Sequence, residues 1–236
     1  MMKARFFVLA ALVAVLVCTQ AALADDFPVT IGDTTDFTAG TNYGTATFLT
    51  DVGAAGSPAP FNAFCGSDTS STSGNCSASW TFSDALPGGS TITSATLTIG
   101  ILDLDSAASG DQIASFTLNG TDDLTSLLNA AAEGLNAGAG APNGQYDVLT
   151  ITIPGVDFAD LLGGTDTFAL TLQGPGLGVL GNTTYNGAGL AFSTLDIQAT
   201  PGTNNGGGGT TTPEPATLML LGAGLLGIGG KRRFRK

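Results

Sequence analysis

Alternating apolar and polar residues mark most of the chain between residues 77 and 199. Such stretches begin at Ser77 (SASWTFSD), Thr91 (TITSATLTIGIL), Gln112 (QIASFTLNG), Tyr146 (YDVLTITI), Asp166 (DTFALTLQG) and Gly189 (GLAFSTLDIQA), with TATFLT at Thr45 as an earlier one. A period of two with β-branched and aromatic residues, bounded by Gly, Asn, Asp and Pro, predicts half-buried strands. About eight or nine short strands and many glycine turns predict a mostly β fold, an antiparallel β-sandwich of jelly-roll or Greek-key type.

The spacing also predicts which side chains share a core face. These sets are Ala78, Trp80 and Phe82; Ala95, Leu97, Ile99 and Ile101; Ala114, Phe116 and Leu118; Leu149, Ile151 and Ile153; and Phe168, Leu170 and Leu172. One segment, TDDLTSLLNAAAEGLNA, has apolar residues at helical spacing instead. It predicts a short amphipathic helix on the sheet, capped by Thr121 or Asp122 and ended by Gly134 or Gly138.

The N-terminus has the layout of a secretory signal peptide. Lys3 and Arg5 precede an unbroken apolar run, Phe6 to Val17, and Ala22 and Ala24 form a small-x-small cleavage site before Asp25. Residues 1–24 are therefore predicted to be removed on export, leaving a body that starts at Asp25.

The C-terminus combines three features in a fixed order. Pro213-Glu214-Pro215 is followed by a short uncharged stretch, Ala216 to Gly230, and then by a cluster of Lys and Arg residues at 231–236. The stretch is shorter than the roughly 20 apolar residues of a comfortable membrane helix, and the cluster is expected to stay cytoplasmic. Residues 200–212, rich in Gly, Asn and Thr, predict a flexible linker between a 25–199 ectodomain and this 213–236 tail.

This tail resembles the PEP-CTERM sorting signal, although Thr212 rather than Val precedes the first proline. The resemblance covers about 25 residues. It implies that an exosortase, a membrane transpeptidase of Gram-negative bacteria, recognises Pro213, Glu214 and Pro215 and removes the tail. It also implies a transient inner-membrane intermediate with a short transmembrane helix, and a final place at the cell surface or in the extracellular matrix. Proteins with this signal are typically linked to extracellular polysaccharide, biofilm or floc formation.

The body between the two terminal segments carries no basic residue. Residues 25–212 hold 17 Asp and Glu133 but no Lys, Arg or His, which gives a formal charge of −18 against −12 for the whole chain. Without cationic side chains, binding to nucleic acid is not expected. Without His or Lys, the usual catalytic bases and nucleophile partners are missing, so we expect a non-enzymatic protein.

Two cysteines remain after signal removal. Cys65 and Cys76 flank the polar segment GSDTSSTSGN, and an exported protein meets an oxidising environment. We therefore predict a disulfide between them, since two Cys without His make a poor zinc site.

The stretch ILDLDSAASGDQI holds a candidate calcium site. Odd-numbered residues up to Ile101 face the core, so the same parity would aim Asp103 and Asp105 inward, at high cost for ionised carboxylates. A bulge, the end of the strand or a bound cation would resolve the conflict, and Leu102 and Leu104 favour the bulge. With Asp111, the two acids provide oxygen ligands of the kind calcium takes, although the spacing differs from an EF-hand. Solvated loop aspartates are the simpler interpretation, and no cofactor is certain.

The sequence thus predicts an exported, exosortase-processed, non-enzymatic surface or matrix protein associated with exopolysaccharide. A calcium-dependent carbohydrate-binding or adhesin module is the alternative. A glycosidase using two aspartates remains a third hypothesis. Trp80, Tyr43, Tyr146 and Tyr185 are the side chains suited to stacking on sugars, with Trp80 expected in the core.

Overall fold

A computed structural model describes residues 24–66, 75–104, 111–135, 144–173 and 186–202. The described part is mostly β, as predicted. Its strands are β1 (Asp25–Gly32), β2 (Thr41–Asn42), β3 (Phe64–Cys65), β4 (Ser77–Phe82), β5 (Thr91–Leu102), β6 (Ile113–Leu118), β7 (Asp122–Asp123), β8 (Gln145–Thr152), β9 (Asp166–Leu172) and β10 (Ala188–Thr200). Two helices, α1 (Thr45–Ala54) and α2 (Thr125–Leu135), and short 3-10 helices at Gly155–Asp157 and Asp160–Gly163 complete the elements.

The strands form two antiparallel sheets. Sheet A has the order β1-β10-β5-β8-β2, with β3 also paired to β10, and sheet B has the order β4-β9-β6-β7. From β4 onward the longer strands alternate between the two sheets along the chain. Each connection therefore crosses the gap between the sheets, and residues from both contribute to one shared core.

Aromatic residues fill the centre of that core. Trp80 on β4 stacks on Phe116 and Phe168, with ring centroids 6.2 Å from each, and meets Phe61 edge-on at 5.7 Å. Trp80 is 4% exposed, so the prediction that it belongs to the core is confirmed. Four of the five predicted same-face sets lie in this core, Ala78 being only partly buried at its margin.

The fifth set was predicted wrongly at one position. Ala114 is exposed, and Ile113 joins Phe116 and Leu118 in the core instead. The reason is a register shift between β6 and β9, in which Ile113 pairs with Leu172 but Ser115 pairs with Thr171. This irregularity re-aims the first residue of β6, as β-bulges do.

The strand predicted at Thr45 is a helix. Helix α1 (Thr45–Ala54) buries Phe48 and Val52, which are four residues apart and therefore lie on one helical face. The hydroxyl of Thr50 donates to the carbonyl of Ala46 at 2.8 Å, so this β-branched residue is accommodated by the helix backbone. The apolar spacing i, i+4 outweighed the β-propensity of the threonines.

Helix α1 covers part of the outer face of sheet A. Gly100 and Leu102 of β5 point away from the main core, as do Tyr146 of β8 and Phe192 of β10. Leu102, Tyr146 and Phe192 form a second apolar cluster with Phe37, Phe48, Val52 and Ala191. Close approach requires glycine here, because a Cβ on Gly189 would overlap the ring of Phe48.

Helix α2 contacts both sheets along one side. It packs against β6 of sheet B and β8 of sheet A, with Leu128 and Ala132 buried in the main core, as is Leu124 just before the helix. The predicted helix exists, but it starts at Thr125, so the predicted caps at Thr121 and Asp122 are wrong. An Asn119-Gly120 turn with φ of 52° and 74° leads into β7 instead, and the Asp123 carboxylate accepts the Thr125 N–H at 3.0 Å.

The terminal segments lie outside the described residues, which form one compact unit, Ala24–Gly202. That exclusion covers the signal peptide, nearly all of the linker, and the predicted tail with its transmembrane stretch. In the portion of the chain that the structure does describe, neither helix has the length and apolar character needed to cross a bilayer.

Candidate functional site

The structure places Asp103 at the end of β5, in a left-handed conformation with φ 63°. Its carboxylate accepts the N–H of Gly144 at 3.0 Å, and its own N–H donates to the carbonyl of Gln145. Burial raises the pKa of Asp103, although the Gly144 bond opposes the shift. Of the three resolutions that the sequence left open, the structure shows the end of the strand rather than the favoured bulge. Strand β5 ends at Leu102, whose side chain joins the second apolar cluster, while Leu104 lies in the main core.

Asp111 is exposed and lies two residues before β6. It lines an open groove of about 490 Å³ along α2, together with Asp123, Asn129 and Glu133. Asp105, the third predicted calcium ligand, is outside the described residues. Within the described ranges, no three acidic or thiol side chains converge as a metal site. The site at Asp103, Asp105 and Asp111 thus stays a prediction.

Two other acids, Asp33 and Asp123, have structural roles in the local backbone. Asp33 accepts the N–H of Thr35 at 2.8 Å and its hydroxyl at 2.9 Å, which builds a turn. Burial would raise the pKa of Asp33, but these bonds outweigh it and lower the pKa. Asp123 accepts the N–H and side chain of Thr125, which lowers the pKa of Asp123 at the start of α2.

A different pair of acids is more unusual. Asp84, just after β4, is 6% exposed, and Asp166, the first residue of β9, is fully buried. We call Asp84 and Asp166 the acid pair. Both oxygens of Asp84 and Oδ2 of Asp166 are buried without a hydrogen-bond donor. Since unpaired buried carboxylates are strongly destabilising, this arrangement needs a compensating partner.

Strand pairing brings the acid pair together. Phe82 of β4 is opposite Asp166 of β9, so Asp84 continues β4 past the start of β9. The two carboxyl groups are within hydrogen-bonding reach of each other. Burial, followed by the charge of Asp84, raises the pKa of Asp166 to about 7. Two ionised carboxylates both accept and neither donates, so they repel unless a proton or a cation lies between them.

Asn119 holds Asp166 in position from the neighbouring strand. Its side-chain amide donates to Oδ1 of Asp166 at 3.4 Å and to the carbonyl of Asp160 at 3.2 Å. Its side-chain oxygen accepts the N–H of Thr167 at 2.8 Å. The left-handed backbone of Asn119 at the β6–β7 turn points the amide into this end of sheet B. We call this hydrogen-bonded arrangement of Asn119, Asp166 and the Asp160 carbonyl the cradle.

Further acids extend the negative charge beyond the acid pair. Asp160, in the second 3-10 helix, contributes to the raised pKa of Asp166. Asp160 is also within hydrogen-bonding reach of Asp122, whose pKa is raised by burial first and by that neighbour second. No basic side chain in residues 25–212 is available to balance these charges. The end of sheet B therefore concentrates negative charge that only a proton or a dissolved cation can neutralise.

This geometry argues against a pair of glycosidase acids. Such residues flank a bound sugar and must reach it. Asp166 has no exposed surface and Asp84 almost none, and Phe82 and Phe168 beside them are fully buried. A sugar ring cannot enter this arrangement without opening the core.

Sequence reasoning missed the acid pair, although a signal for it exists. Asp84 has the parity of Trp80 and Phe82, and Asp166 has the parity of Phe168 and Leu170. The argument applied to Asp103 and Asp105 would have aimed both acids at the core. It could not have shown that the two strand ends are neighbours, because pairing of β4 with β9 is a long-range contact.

The disulfide and the stacking candidates also have clear places. Cys65 on β3 and Cys76 before β4 form the predicted disulfide, with Cα atoms 4.9 Å apart. Tyr146 is 2% exposed and Trp80 is 4% exposed, so neither offers a ring face to a sugar. Tyr43 is half-buried, with its ring edge-on to Phe37 and its hydroxyl accepting the N–H of Thr38 at 2.9 Å. Tyr185 is outside the described residues.

Comparisons with known proteins give a family match for the tail alone. No curated protein matches the chain. Among solved structures it is similar to dimeric latent PorU from Porphyromonas gingivalis, with 12% identity, a TM-score of 0.32, 76% of this chain covered and 13% of that one. The chain thus spans a small part of that protein, and the likeness carries no argument. Residues 211–233 match the PEP-CTERM protein-sorting motif, which implies export, membrane-anchored transit and processing by an exosortase.

Proposed function

We propose that the protein is a non-enzymatic component of the cell surface or extracellular matrix of a Gram-negative bacterium, retained there by extracellular polysaccharide. One observation carries the proposal: the chain has a sorting motif at residues 211–233 and an acidic body, residues 25–212, without Lys, Arg or His. The motif supplies the route through the inner membrane. The body supplies a highly charged sandwich that would remain dispersed in a hydrated matrix.

The surfaces of the sandwich support a non-enzymatic role. Threonine pairs cross the outer face of sheet A, with hydroxyls 2.8 Å apart for Thr30 and Thr194 and 3.0 Å apart for Thr98 and Thr150. The strand registers align these four residues in one row across β1, β10, β5 and β8. Such a row presents hydroxyl groups to solvent without the bases and cations that enzymes use to orient substrates.

We also infer a jelly-roll connectivity for the sandwich. The strand pairs β1·β10, β4·β9, β5·β8 and β6·β7 are nested around the centre of the chain. An eight-stranded hairpin wound into two four-stranded sheets has this nesting, and it belongs to the jelly-roll class of double-sheet folds. An experimental structure with a different pairing of these strands would remove the inference.

The ends of the sandwich fit the proposed processing. Strand β1 starts at Asp25, directly after the predicted cleavage site at Ala24, and β10 ends at Thr200. The remaining residues up to Thr212 would separate the body from Pro213. A linker of this composition allows a membrane enzyme to reach the motif without unfolding β10.

Intact mass of the exported chain tests the processing. The chain is expressed in a host that has an exosortase and in the same host without it. We expect a species beginning at Asp25 and ending near Thr212 or Pro213 in the first host, and a longer species that retains the tail in the second. Glu214→Ala should retain the tail in both hosts, whereas Glu133→Ala, the matched change in the body, should be processed normally. Equal masses in the two hosts would contradict the proposal.

Retention in the matrix tests the destination. The processed chain should co-fractionate with extracellular polysaccharide in the wild-type strain and appear in the medium of a strain that makes none. Turnover of that polysaccharide by the purified chain, lost when one Asp is replaced, would instead establish an enzyme.

The alternative is a calcium-dependent carbohydrate-binding or adhesin module. The groove along α2 favours it, because Asp111, Asp123 and Glu133 combine there with the amide of Asn129. Carboxylates and amides bind sugar hydroxyls. The three acids line the groove without converging on one metal position, so in this alternative calcium links a single carboxylate to the sugar. Binding of purified polysaccharide that requires calcium and is lost in Asp123→Asn would select this alternative over passive retention.

A further inference from the structure

The acid pair is the most unusual chemical environment among the described residues. Asp84 is 6% exposed and Asp166 is fully buried, and three of their four carboxylate oxygens lack a donor. Both side chains lie on the core side of sheet B, since burial alternates without a break from Trp80 through Phe82 to Asp84. They thus lie on the same side of sheet B as Phe82 and Phe168, which are fully buried.

The residues around the acid pair offer oxygen atoms and no positive charge. The carbonyl of Asp160 lies near Asp166, since the amide nitrogen of Asn119 donates to that carbonyl at 3.2 Å and to Oδ1 of Asp166 at 3.4 Å. Calcium takes six to eight oxygen ligands from carboxylates, backbone carbonyls and water, and it accepts irregular geometry. Thiolate and imidazole are absent from this cradle, so zinc and copper are less suited to it.

From this geometry, we propose that Asp84 and Asp166 hold a calcium ion that ties the end of β4 to the start of β9. The two carboxylates supply the charged ligands, and the carbonyl of Asp160 and water complete the shell. A divalent cation converts two repelling acceptors into two ligands, which satisfies the buried oxygens. The site is new relative to Asp103, Asp105 and Asp111, and it does not depend on the function proposed above.

The calcium is structural in this proposal. The acid pair lies beneath the surface, so a bound ion exchanges slowly and has no room for a sugar. Its effect is to stabilise the sandwich outside the cell. Extracellular calcium-binding modules have a Kd of roughly 10⁻⁴ to 10⁻³ M, which matches the calcium available there. Without the ion, the ionised carboxylates of Asp84 and Asp166 would repel each other.

Thermal unfolding with and without calcium tests the site. The full chain, purified after export, is stripped with a chelator and refolded at pH 7.5 with calcium, with magnesium, or with sodium at the same ionic strength. We expect calcium to raise the Tm by about 5 °C or more at millimolar concentration. Asp84→Asn and Asp166→Asn should each lose most of that shift while remaining at least as stable as the stripped wild type. The Asp84 variant loses none of the hydrogen bonds of the cradle, so it keeps the test valid if the Asp166 variant fails to fold.

A second acid pair provides the matched control. Asp26 and Asp196, on neighbouring strands of sheet A, also lie within hydrogen-bonding reach, and Asp196 is only partly buried. Asp196→Asn should keep the full calcium shift. The proposal is overturned if the wild type responds to calcium no more than to sodium, if Asp196→Asn loses the shift equally, or if the shift survives in both acid-pair variants. Loss of the shift in Asp103→Asn alone would place the ion at the other site and also overturn it.

Discussion

The stability of this protein without divalent cations should fall as the pH rises from about 4 to 7. Among the described carboxyl groups, Asp166 and Asp196 have the pKa values that are raised furthest into this range. Burial, then the charge of Asp84, raises the pKa of Asp166 from 3.8 to about 7. The neighbouring carboxyl of Asp26, followed by burial, raises the pKa of Asp196 from 3.8 to about 6. At a pH between 3.8 and its raised pKa, each of these two carboxyl groups keeps its proton in the folded chain but has released it in the unfolded chain. Rising pH therefore favours unfolding.

The expected change is several kcal/mol. One pKa unit corresponds to about 1.4 kcal/mol, so Asp166 contributes about 2–4 kcal/mol across this range. Asp196 is partly exposed, and solvent screening reduces its share to about 1 kcal/mol. Asp33 and Asp123 have lowered pKa values, so their stabilisation is lost only below about pH 4 and does not offset the trend in this window. We therefore expect a loss of about 3–5 kcal/mol in the free energy of unfolding, or roughly 10 °C in Tm.

Urea unfolding in chelator at several pH values provides the assay. Trp80 is the single tryptophan and is 4% exposed, so its fluorescence reports on the core. Asp196→Asn should flatten the pH dependence by about 1 kcal/mol. Asp25→Asn, which removes the same charge at the start of β1, controls for the change in net charge. A free energy of unfolding that rises with pH over this range would refute the reasoning, since it would mean that the buried carboxyls ionise without penalty.

Two further predictions concern packing and covalent constraint. Gly189→Ala should lower the free energy of unfolding by about 1–3 kcal/mol, because its Cβ would overlap the ring of Phe48. Gly53→Ala, which meets open space in α1, should instead raise it by about 0.5–1 kcal/mol, and urea unfolding of both variants checks the contrast. Replacing Cys65 and Cys76 together with Ser should cost about 3 kcal/mol, since the disulfide closes a short loop in the unfolded chain. Reduction of the wild type should give the same loss, and no change in either experiment would contradict the role of the disulfide.

Strand faces were predictable from the sequence because each follows from local parity. Leu97, Ile99 and Ile101 are buried as their spacing indicates, and so are Phe168 and Leu170. Local parity fails to predict the buried face wherever the pairing of two strands contains a register shift. A shift of register between β6 and β9 was enough to exchange the core position from one residue of β6 to its neighbour.

Segment type was less predictable where propensity and spacing disagree. Three of the first six residues of α1 are threonine, which favours a strand, yet Phe48 and Val52 at i, i+4 meet one apolar surface only in a helix. That surface consists of Leu102, Tyr146 and other residues far along the chain. The sequence of α1 does not contain it, so only the assembled sheet decides between the two structures.

The acid pair was hidden for a related reason and has a wider consequence. Parity could aim Asp84 and Asp166 inward, but their destabilising proximity exists only once β4 and β9 are paired. In most proteins a nearby Lys or Arg would neutralise such a pair, and residues 25–212 contain none. Charge balance in the buried end of sheet B must therefore come from the medium, as protons or as dissolved cations. Because the sorting motif implies export, we expect the ions outside the cell to affect the stability of the fold through this pair.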